Sequence, residues 1–229
     1  MTNTTLSPQK IRPDADWRQF RLSRINEEPY RHAWLLLFWP IFGLLFGFVE
    51  RYYPVQSYHV MYSPLDDLIP FNELFLIPYL FWFIYLAGTV VFLFFFDTKA
   101  FRRMMYFTMF TYAVTMAVYF LFPTCQELRP LEFARDNFLT QFMAAFYAFD
   151  TNTNVCPSLH VIGSVVAMLG GLHCKWLQSC GWKIFYVVSA VLISISTVFL
   201  KQHSLLDVLW ALPLCFVGWL LFYVRKEKN

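Results

Sequence analysis

The chain reads Lys201-Gln202-His203-Ser204-Leu205-Leu206-Asp207 between two long apolar runs, 184–200 and 208–224. Within this stretch His203 and Asp207 stand four residues apart, so on a helix the carboxylate would reach the imidazole and fix its tautomer. Ionisable side chains beside apolar spans are costly, which makes both residues candidates for a function. The structural alternative is that Asp207 only favours a helix N-terminus and that nothing reacts.

The composition is that of an integral membrane protein. Of the 229 residues, 58% are hydrophobic, 21% are aromatic and only 14% are charged, whereas soluble domains carry about 25% charged residues. The 13 Tyr and 8 Trp residues could form belts at the two membrane–water interfaces. The five Cys residues show no CxxC or CxxH spacing, so we expect no zinc site. The net charge of +3 is small, and we expect no nucleic-acid partner.

Six apolar runs are long enough to cross a bilayer as helices, which rise about 1.5 Å per residue. These runs are 33–49, 74–96, 104–122, 159–177, 184–200 and 208–224. The longest loop, 123–157, carries Phe138, Phe142 and Phe146 at four-residue spacing, which predicts an amphipathic helix too short to span. We therefore expect an all-α integral membrane protein with a six-transmembrane-helix bundle over residues 33–229.

Residues 1–32 form a polar, basic segment with no apolar run near its start, which is not typical of a cleaved signal peptide. Within it Trp17, Phe20, Arg21 and Arg24 suggest a short helix lying on an anionic membrane surface. A disordered basic tail is the alternative. Either way, this segment is predicted to lie outside the spans, on the cytoplasmic side.

Lys and Arg residues are distributed unequally between the two ends of the predicted spans. Fourteen of the 18 fall on the side of the termini, and the other four are Arg51, Arg129, Arg135 and Lys201. Loops rich in Lys and Arg stay in the cytoplasm, so both termini are predicted to be cytoplasmic. His203 then lies at the outer face, and we expect the plasma membrane as the location.

This topology brings a second histidine to the same face. The motif Pro157-Ser158-Leu159-His160 opens the fourth run, and the separation between His160 and His203 is what two spans of about 20 residues and a turn require. A helix that begins near Ser158 would also present free backbone N–H groups, which suit phosphate. Two His, an Asp, a Ser and a helix N-terminus are thus predicted to converge.

The chemistry that fits this set is phosphoryl transfer through a covalent phosphohistidine. One His attacks phosphorus, the Asp orients that His, and the other His protonates the leaving oxygen. Helix N–H groups and a hydroxyl bind the equatorial oxygens as charge develops. No metal or cofactor is required.

Two other kinds of site are weaker alternatives. A hydrolase that uses Ser158 as its nucleophile is one, because no GxSxG motif surrounds this residue. Asp66, Asp67 and Glu73 could ligate a metal, but such acids are more often helix caps.

These motifs resemble those of the phosphatidic acid phosphatase type 2 superfamily. Its second motif reads Pro-Ser-Gly-His, or Pro-Ser-Leu-His in a branch that resembles the inositol phosphorylceramide and sphingomyelin synthases. Its third motif has Ser, usually Arg next, His six residues beyond that Arg and Asp four after the His, as in Ser196, His203 and Asp207. The resemblance covers about residues 73–224 and implies a metal-independent enzyme with a six-helix layout.

The resemblance also implies a role for each matched residue. His203 would be the nucleophile, Asp207 the residue that orients it, and His160 the general acid. Ser158 would bind a phosphate oxygen, and Ser196, which matches the first residue of the third motif, would be a further substrate-binding residue.

Two cations of the family's motifs are missing. Thr197 stands where the family has Arg, and Phe122 stands at the Lys position of the first motif, although its Arg129-Pro130 is present. Arg129 and Lys201 are the candidates to replace these cations. A phosphomonoester carries nearly two negative charges at neutral pH and a diester one. Fewer cations therefore favour a diester headgroup.

Three functions stay open at this point. The first is a membrane phosphatase that hydrolyses a lipid phosphate ester. The second is a lipid phosphotransferase or diesterase that transfers a phosphorylated headgroup to a lipid or sugar acceptor. The third is a non-catalytic lipid-binding or transport protein with the same fold. In every case the expected partners are a lipid phosphate and the surrounding membrane lipids.

Overall fold

The computed structural model describes residues 11–224, and most of them are helical. The α-helices in this range are α1 (Phe38–Arg51), α2 (Pro64–Leu68), α3 (Leu76–Phe96), α4 (Thr98–Leu121), α5 (Phe138–Phe149), α6 (Leu159–Leu172), α7 (Cys180–Phe199) and α8 (Leu205–Trp219). A 3-10 helix, Arg31–Leu37, leads into α1, a shorter one, Glu73–Phe75, leads into α3, and a π-helical segment, Leu220–Val224, continues α8. Two strands, β1 (His59–Val60) and β2 (Thr124–Cys125), pair in parallel.

Among the described residues, five helical segments are long and apolar enough to cross a membrane. They are Arg31–Arg51, Glu73–Phe96, Thr98–Leu121, Cys180–Phe199 and Leu205–Val224. Each coincides with one of the predicted runs, and large apolar side chains such as Leu44, Ile84 and Trp210 remain exposed on them. Exposed apolar surface of this extent suits lipid rather than water, so the chain has the character of an integral membrane protein.

The predicted fourth span is shorter than expected. Helix α6 has 14 residues and ends at Leu172 rather than at residue 177, so it is about 21 Å long against a hydrocarbon core of about 30 Å. The turn that follows is held by the α3–α4 junction. The Lys175 N–H donates to Oδ2 of Asp97 (2.8 Å), and the Trp176 indole N–H donates to the Phe96 carbonyl (2.7 Å).

Helix α6 lies at the centre of the bundle, where it packs against α3, α4, α7 and α8. Its glycines permit this packing: a Cβ added at Gly171 would lie 2.3 Å from the Tyr186 ring, and one at Gly170 would lie 2.7 Å from Sδ of Met104. Small residues of this kind let neighbouring membrane helices approach closely. The main hydrophobic core surrounds this helix.

The N-terminal segment differs from the short helix that the sequence suggested. Its described part forms two 3-10 turns, Trp17–Gln19 and Leu22–Arg24, while Lys10 lies outside the described residues. The Trp17 ring packs 4.8 Å from that of Phe94, measured between centroids, and the Tyr30 hydroxyl donates to the Asp16 carbonyl (2.8 Å). The contact of Trp17 with the end of α3, together with the Tyr30–Asp16 hydrogen bond inside the segment, favours tight turns over a continuous surface helix.

The loops at the opposite end are tied together. β1 and β2 join the segment after α1 to the segment after α4, and Cys125 makes a further bridge to Thr153. The predicted amphipathic helix is confirmed as α5, whose Met143 packs against Leu76, Tyr79 and Leu200. This network surrounds the N-termini of α6 and α8, where the predicted site residues lie.

Candidate active site

His203 lies in the turn between α7 and α8, and Asp207 lies in the first turn of α8. Ser204 is the N-cap of α8, and its backbone N–H donates to Oδ2 of Asp207 (2.9 Å) in a capping box. The same Oδ2 lies 3.1 Å from Nδ1 of His203. Asp207 therefore caps the helix, as the structural interpretation predicts, and also holds the imidazole in place. A catalytic role for the pair stays a prediction. With Nδ1 engaged, Nε2 is the His203 atom left for chemistry.

His160 lies beside His203, as predicted. It is in the first turn of α6, and its ring stacks on Tyr79 with 4.4 Å between centroids and tilts against Trp82 at 4.6 Å. The His160 and His203 centroids are 5.9 Å apart. Nε2 of His160 is buried and has no hydrogen-bond partner among residues 11–224. The aromatic contacts thus fix the ring while leaving one nitrogen unused.

Ser158 and Ser196 have local structural partners. The Ser158 hydroxyl accepts from the Val161 N–H (3.4 Å) as the N-cap of α6, and the Ser158 N–H donates to the Asp207 carbonyl (3.2 Å), which joins the starts of α6 and α8. The Ser196 hydroxyl donates to the Ile193 carbonyl (2.6 Å) within α7. Both side chains are fully buried and do not line the cavity beside the histidines. Their predicted role as phosphate ligands stays a prediction.

Arg129 lies next to the site, but both of its terminal nitrogens donate to the protein, and its Nε is buried without a hydrogen-bond partner among residues 11–224. Its guanidinium donates to the carbonyls of Tyr147 (3.0 Å), Asp150 (2.8 Å) and Thr151 (2.9 Å), and to Oε1 of Gln202 (2.6 Å). Its centre also lies 4.6 Å from the centroid of the Tyr147 ring. Burial lowers the pKa of Arg129, which Asp150 opposes. Arg129 therefore fastens the loop after α5 to the turn that carries His203.

Lys201 is directed away from the histidines. Its backbone is left-handed, with φ of 52°, and its ammonium donates to the Asp66 carbonyl (2.6 Å). Burial lowers its pKa, whereas the nearby carboxylates of Asp66 and Asp67 raise it. The side chain lines a separate outer cleft that also contains Asp67 and Glu127. Lys201 and Arg129 are thus not brought together at the His pair.

His160 and His203 both line a cavity of about 390 Å³. Its wall is mostly aromatic and includes Trp39, Phe42, Tyr79, Trp82, Phe146 and Phe149. The charged residues that line it are Glu50 and Asp150, and no described Lys or Arg does so. Burial raises the pKa of Asp150, although Arg129, at 3.6 Å, acts in the opposite direction. The cavity therefore combines two histidines, an apolar wall and two acids.

Asp66 is a residue whose position at the site the sequence did not reveal. Its Oδ2 accepts from the Ser204 hydroxyl (2.6 Å), and its Oδ1 accepts from the Leu205 N–H (2.8 Å). It also caps its own short helix, because Oδ2 accepts from the Ser63 N–H (2.8 Å). The local signal was the Ser63-Pro-Leu-Asp66 capping box, but that pattern contains no information about α8. Within residues 11–224, no three His, Cys, Asp or Glu side chains are arranged to hold a metal.

No family model, no curated protein and no solved structure matches this chain. The relation to the phosphatidic acid phosphatase type 2 superfamily therefore stays a prediction from the motifs around His160 and His203.

Proposed function

We propose that this chain is a membrane phosphatase of the phosphatidic acid phosphatase type 2 kind, which hydrolyses a lipid phosphate ester through a phosphohistidine intermediate. The observation that carries the proposal is the His203–Asp207 hydrogen bond with His160 facing it, 5.9 Å away between ring centroids. A separation of this size allows one phosphate ester to contact both rings.

The reaction has two balanced steps. First, the lone pair on Nε2 of His203 attacks phosphorus, and a P–N bond forms as the P–O bond to the leaving group breaks. His160 gives its proton to the leaving oxygen, and Asp207 stabilises the charge that develops on His203. In the second step His160 takes a proton from water, the water oxygen attacks phosphorus, and the P–N bond breaks. This restores both histidines.

Backbone amides supply the remaining stabilisation. Helix α6 begins at Leu159, and the first N–H groups of a helix have no partner within it. They favour negative charge, which builds up on the equatorial oxygens in the transition state. The Ser158–Asp207 backbone hydrogen bond holds this helix end beside His203.

We also propose that the bundle has six spans, with α6 as the fourth. Its 14 residues are enclosed by four other helices, and a helix buried in protein does not have to match the lipid thickness. The described cations Lys99, Arg102, Arg103 and Lys175 lie at the end of the bundle away from His203. The positive-inside rule then favours cytoplasmic termini and an active site at the outer face. We propose the plasma membrane as the location.

Transfer of a phosphorylated headgroup is the second candidate. It is favoured by the charges along the cavity, because Glu50 and Asp150 line it and the two terminal nitrogens of Arg129 already donate to the protein. A monoester that approaches two negative charges meets more repulsion there than a diester with one. In this variant an alcohol acceptor replaces water in the second step.

The test is an assay of the purified protein with a panel of lipid phosphate mono- and diesters, with and without an alcohol acceptor. Hydrolysis predicts release of phosphate or phosphorylated headgroup that an acceptor does not change, and that result would sink the transferase. A new lipid ester formed at the expense of that release would support transfer.

Variants separate catalysis from mere binding. His203→Ala and His160→Ala should each lower the rate by about 10²-fold or more, while His59→Ala, an exposed histidine stacked on Phe122, should not. Lipid binding that persists without turnover in the unaltered protein would favour the non-catalytic alternative. Full activity in both variants would exclude the His pair as catalytic.

A further inference from the structure

A second cleft lies at the other end of the bundle from the histidines. It has a volume of about 810 Å³ and is formed by the N-terminal segment, the α3–α4 junction, the turn after α6 and the end of α8. Four cations from two of these regions line it: Lys99, Arg102, Arg103 and Lys175. The proposed reaction uses none of them.

The cleft carries an excess of positive charge. Arg102 pairs with Glu28 (3.2 Å), but Glu28 is shared with Arg31 (3.0 Å). Lys175 pairs with Asp14. Lys99 and Arg103 make no ion pair with any residue in the described part of the chain. Two acids therefore face four cations, and the cleft is complementary to an anion.

The cleft already binds one anion of the chain itself. Asp14 places Oδ2 2.8 Å from the Thr98 N–H, at the start of α4, and its other oxygen contacts the Lys175 ammonium. Lys99 is exposed, Arg102 and Arg103 are half-buried, and none of the three forms an ion pair with Asp14, so a larger anion can reach them.

The neighbours of these cations are apolar and exposed. Phe222, the neighbour of Leu221 in the chain, also lines the cleft. Leu221 and Tyr106 line it with 41% and 47% of their surfaces exposed. Both belong to helices long and apolar enough to span a membrane. A ligand with a phosphate group and a hydrocarbon chain would satisfy both halves of this surface, whereas a soluble phosphate would satisfy only the cations.

We propose that this cleft binds the phosphate of an anionic phospholipid from the leaflet at the end of the protein opposite the histidines. The phosphate contacts Lys99, Arg102 and Arg103, and an acyl chain runs along Leu221. Because the lipid would join α4 to the end of α8, its binding stabilises the folded bundle by mass action.

The experiment measures the Tm of the full-length protein in nanodiscs of phosphatidylcholine alone and with added phosphatidylglycerol. Phosphatidylglycerol should raise Tm by about 3 °C or more, and the rise should shrink at high salt. The double variant Lys99→Gln/Arg103→Gln should lose this rise. The control Lys183→Gln, an exposed lysine outside the cleft, should keep it.

Three results would overturn the proposal. One is no rise in Tm with phosphatidylglycerol, and another is an equal loss in Lys183→Gln, which would indicate diffuse surface electrostatics. The third is an equal rise from inorganic phosphate or from glycerophosphoglycerol in phosphatidylcholine nanodiscs, which would make this a soluble-anion site. If the double variant does not fold, Arg103→Gln alone should still reduce the rise in Tm.

The lipid-binding proposal and the proposed catalysis can fail separately. Activity of the variants with a lipid ester in detergent checks their folding independently of the Tm measurement, so loss of the lipid effect is distinct from loss of catalysis.

Discussion

The carboxylate of Asp66 accepts a 2.6 Å hydrogen bond from the hydroxyl of Ser204, which lies 138 residues later in the chain. A second bond from the Leu205 N–H (2.8 Å) makes Asp66 an additional cap of α8. The helix that carries Asp207 is thus fixed at its first residue by α2, the short helix that follows α1. The orientation of His203 depends on this contact as well as on the local capping box.

Replacing Asp66 by Asn should impair the reaction without removing any group that touches substrate. Asn keeps one carbonyl acceptor but loses the other, and an unsatisfied buried partner costs about 1–3 kcal/mol. We expect a lower kcat with little change in KM, together with a lower Tm, because the start of α8 becomes less well defined. The measurements are steady-state kinetics and thermal unfolding.

Asp67→Asn is the matched control for this prediction. Asp67 is the next residue of the same short helix, is exposed, and binds the Tyr62 hydroxyl at 2.5 Å rather than α8. Asp67→Asn should have nearly the same kcat, KM and Tm as the unaltered protein. If Asp66→Asn and Asp67→Asn were indistinguishable in kcat, Asp66 would have no positioning role.

Asp207→Asn tests the orientation of the nucleophile directly. The amide cannot reproduce the charge that holds Nδ1 of His203, so the wrong tautomer becomes accessible and Nε2 is no longer reliably the free base. We expect the rate to fall about 10²- to 10⁴-fold. The loss of the charged cap should cost only about 1 kcal/mol of stability.

Trapping the covalent intermediate distinguishes this role from a structural one. Rapid quench with labelled substrate should give little phosphohistidine in Asp207→Asn, and combining it with His203→Ala should add almost nothing to the loss of rate. Additive losses in the double variant would show that Asp207 acts independently of His203.

The sequence predicted the features that depend on local spacing. The i, i+4 relation of His203 and Asp207 and the length of two spans between His160 and His203 both follow from helix geometry. The C-terminal end of α6 could not be predicted from helix geometry, because it is determined by contacts of Asp97 and Phe96 with the turn after α6. A hydropathy pattern contains no information about such contacts.

The sequence also could not predict where the two candidate substitute cations, Arg129 and Lys201, lie in the folded protein. Arg129 lies close to the histidines in the folded protein, but carbonyls at the end of α5 and in the loop after it accept from its terminal nitrogens. Lys201 is two residues from His203, yet its positive φ turns it towards Asp66. Proximity in sequence does not determine where a long side chain points when a loop from elsewhere supplies its acceptor.

Arg129→Lys separates a structural role for this cation from phosphate binding. Lysine keeps the charge but cannot donate in a planar fork to several acceptors. Because Arg129 contacts three carbonyls and Gln202, we expect a lower Tm and a lower kcat, with KM for the phosphate ester nearly unchanged. Arg135→Lys, which alters an exposed cation paired with Glu73, should have little effect. A large rise in KM at unchanged Tm would instead make Arg129 a direct phosphate ligand.

The packing around α6 gives a prediction that is independent of the chemistry. Tyr186 cannot easily move away from a methyl group at Gly171, because its hydroxyl lies 3.2 Å from that of Thr89 and its carbonyl accepts from the Tyr85 hydroxyl (2.8 Å). With the new Cβ only 2.3 Å from the ring, Gly171→Ala should destabilise the bundle by about 1–3 kcal/mol. Gly88→Ala is the control, since no atom lies within 4 Å of its Cβ.

The two glycine variants should shift stability in opposite directions. Alanine is the better helix former by up to about 1 kcal/mol, so Gly88→Ala should be neutral or slightly stabilising, whereas at Gly171 the steric clash outweighs that gain. Unfolding in a detergent titration measures both. Equal stability of the two variants would mean that α6 can move away from α7. In that case the position of His160, at the other end of α6, would depend on its own contacts with Tyr79 and Trp82 rather than on the packing of the helix.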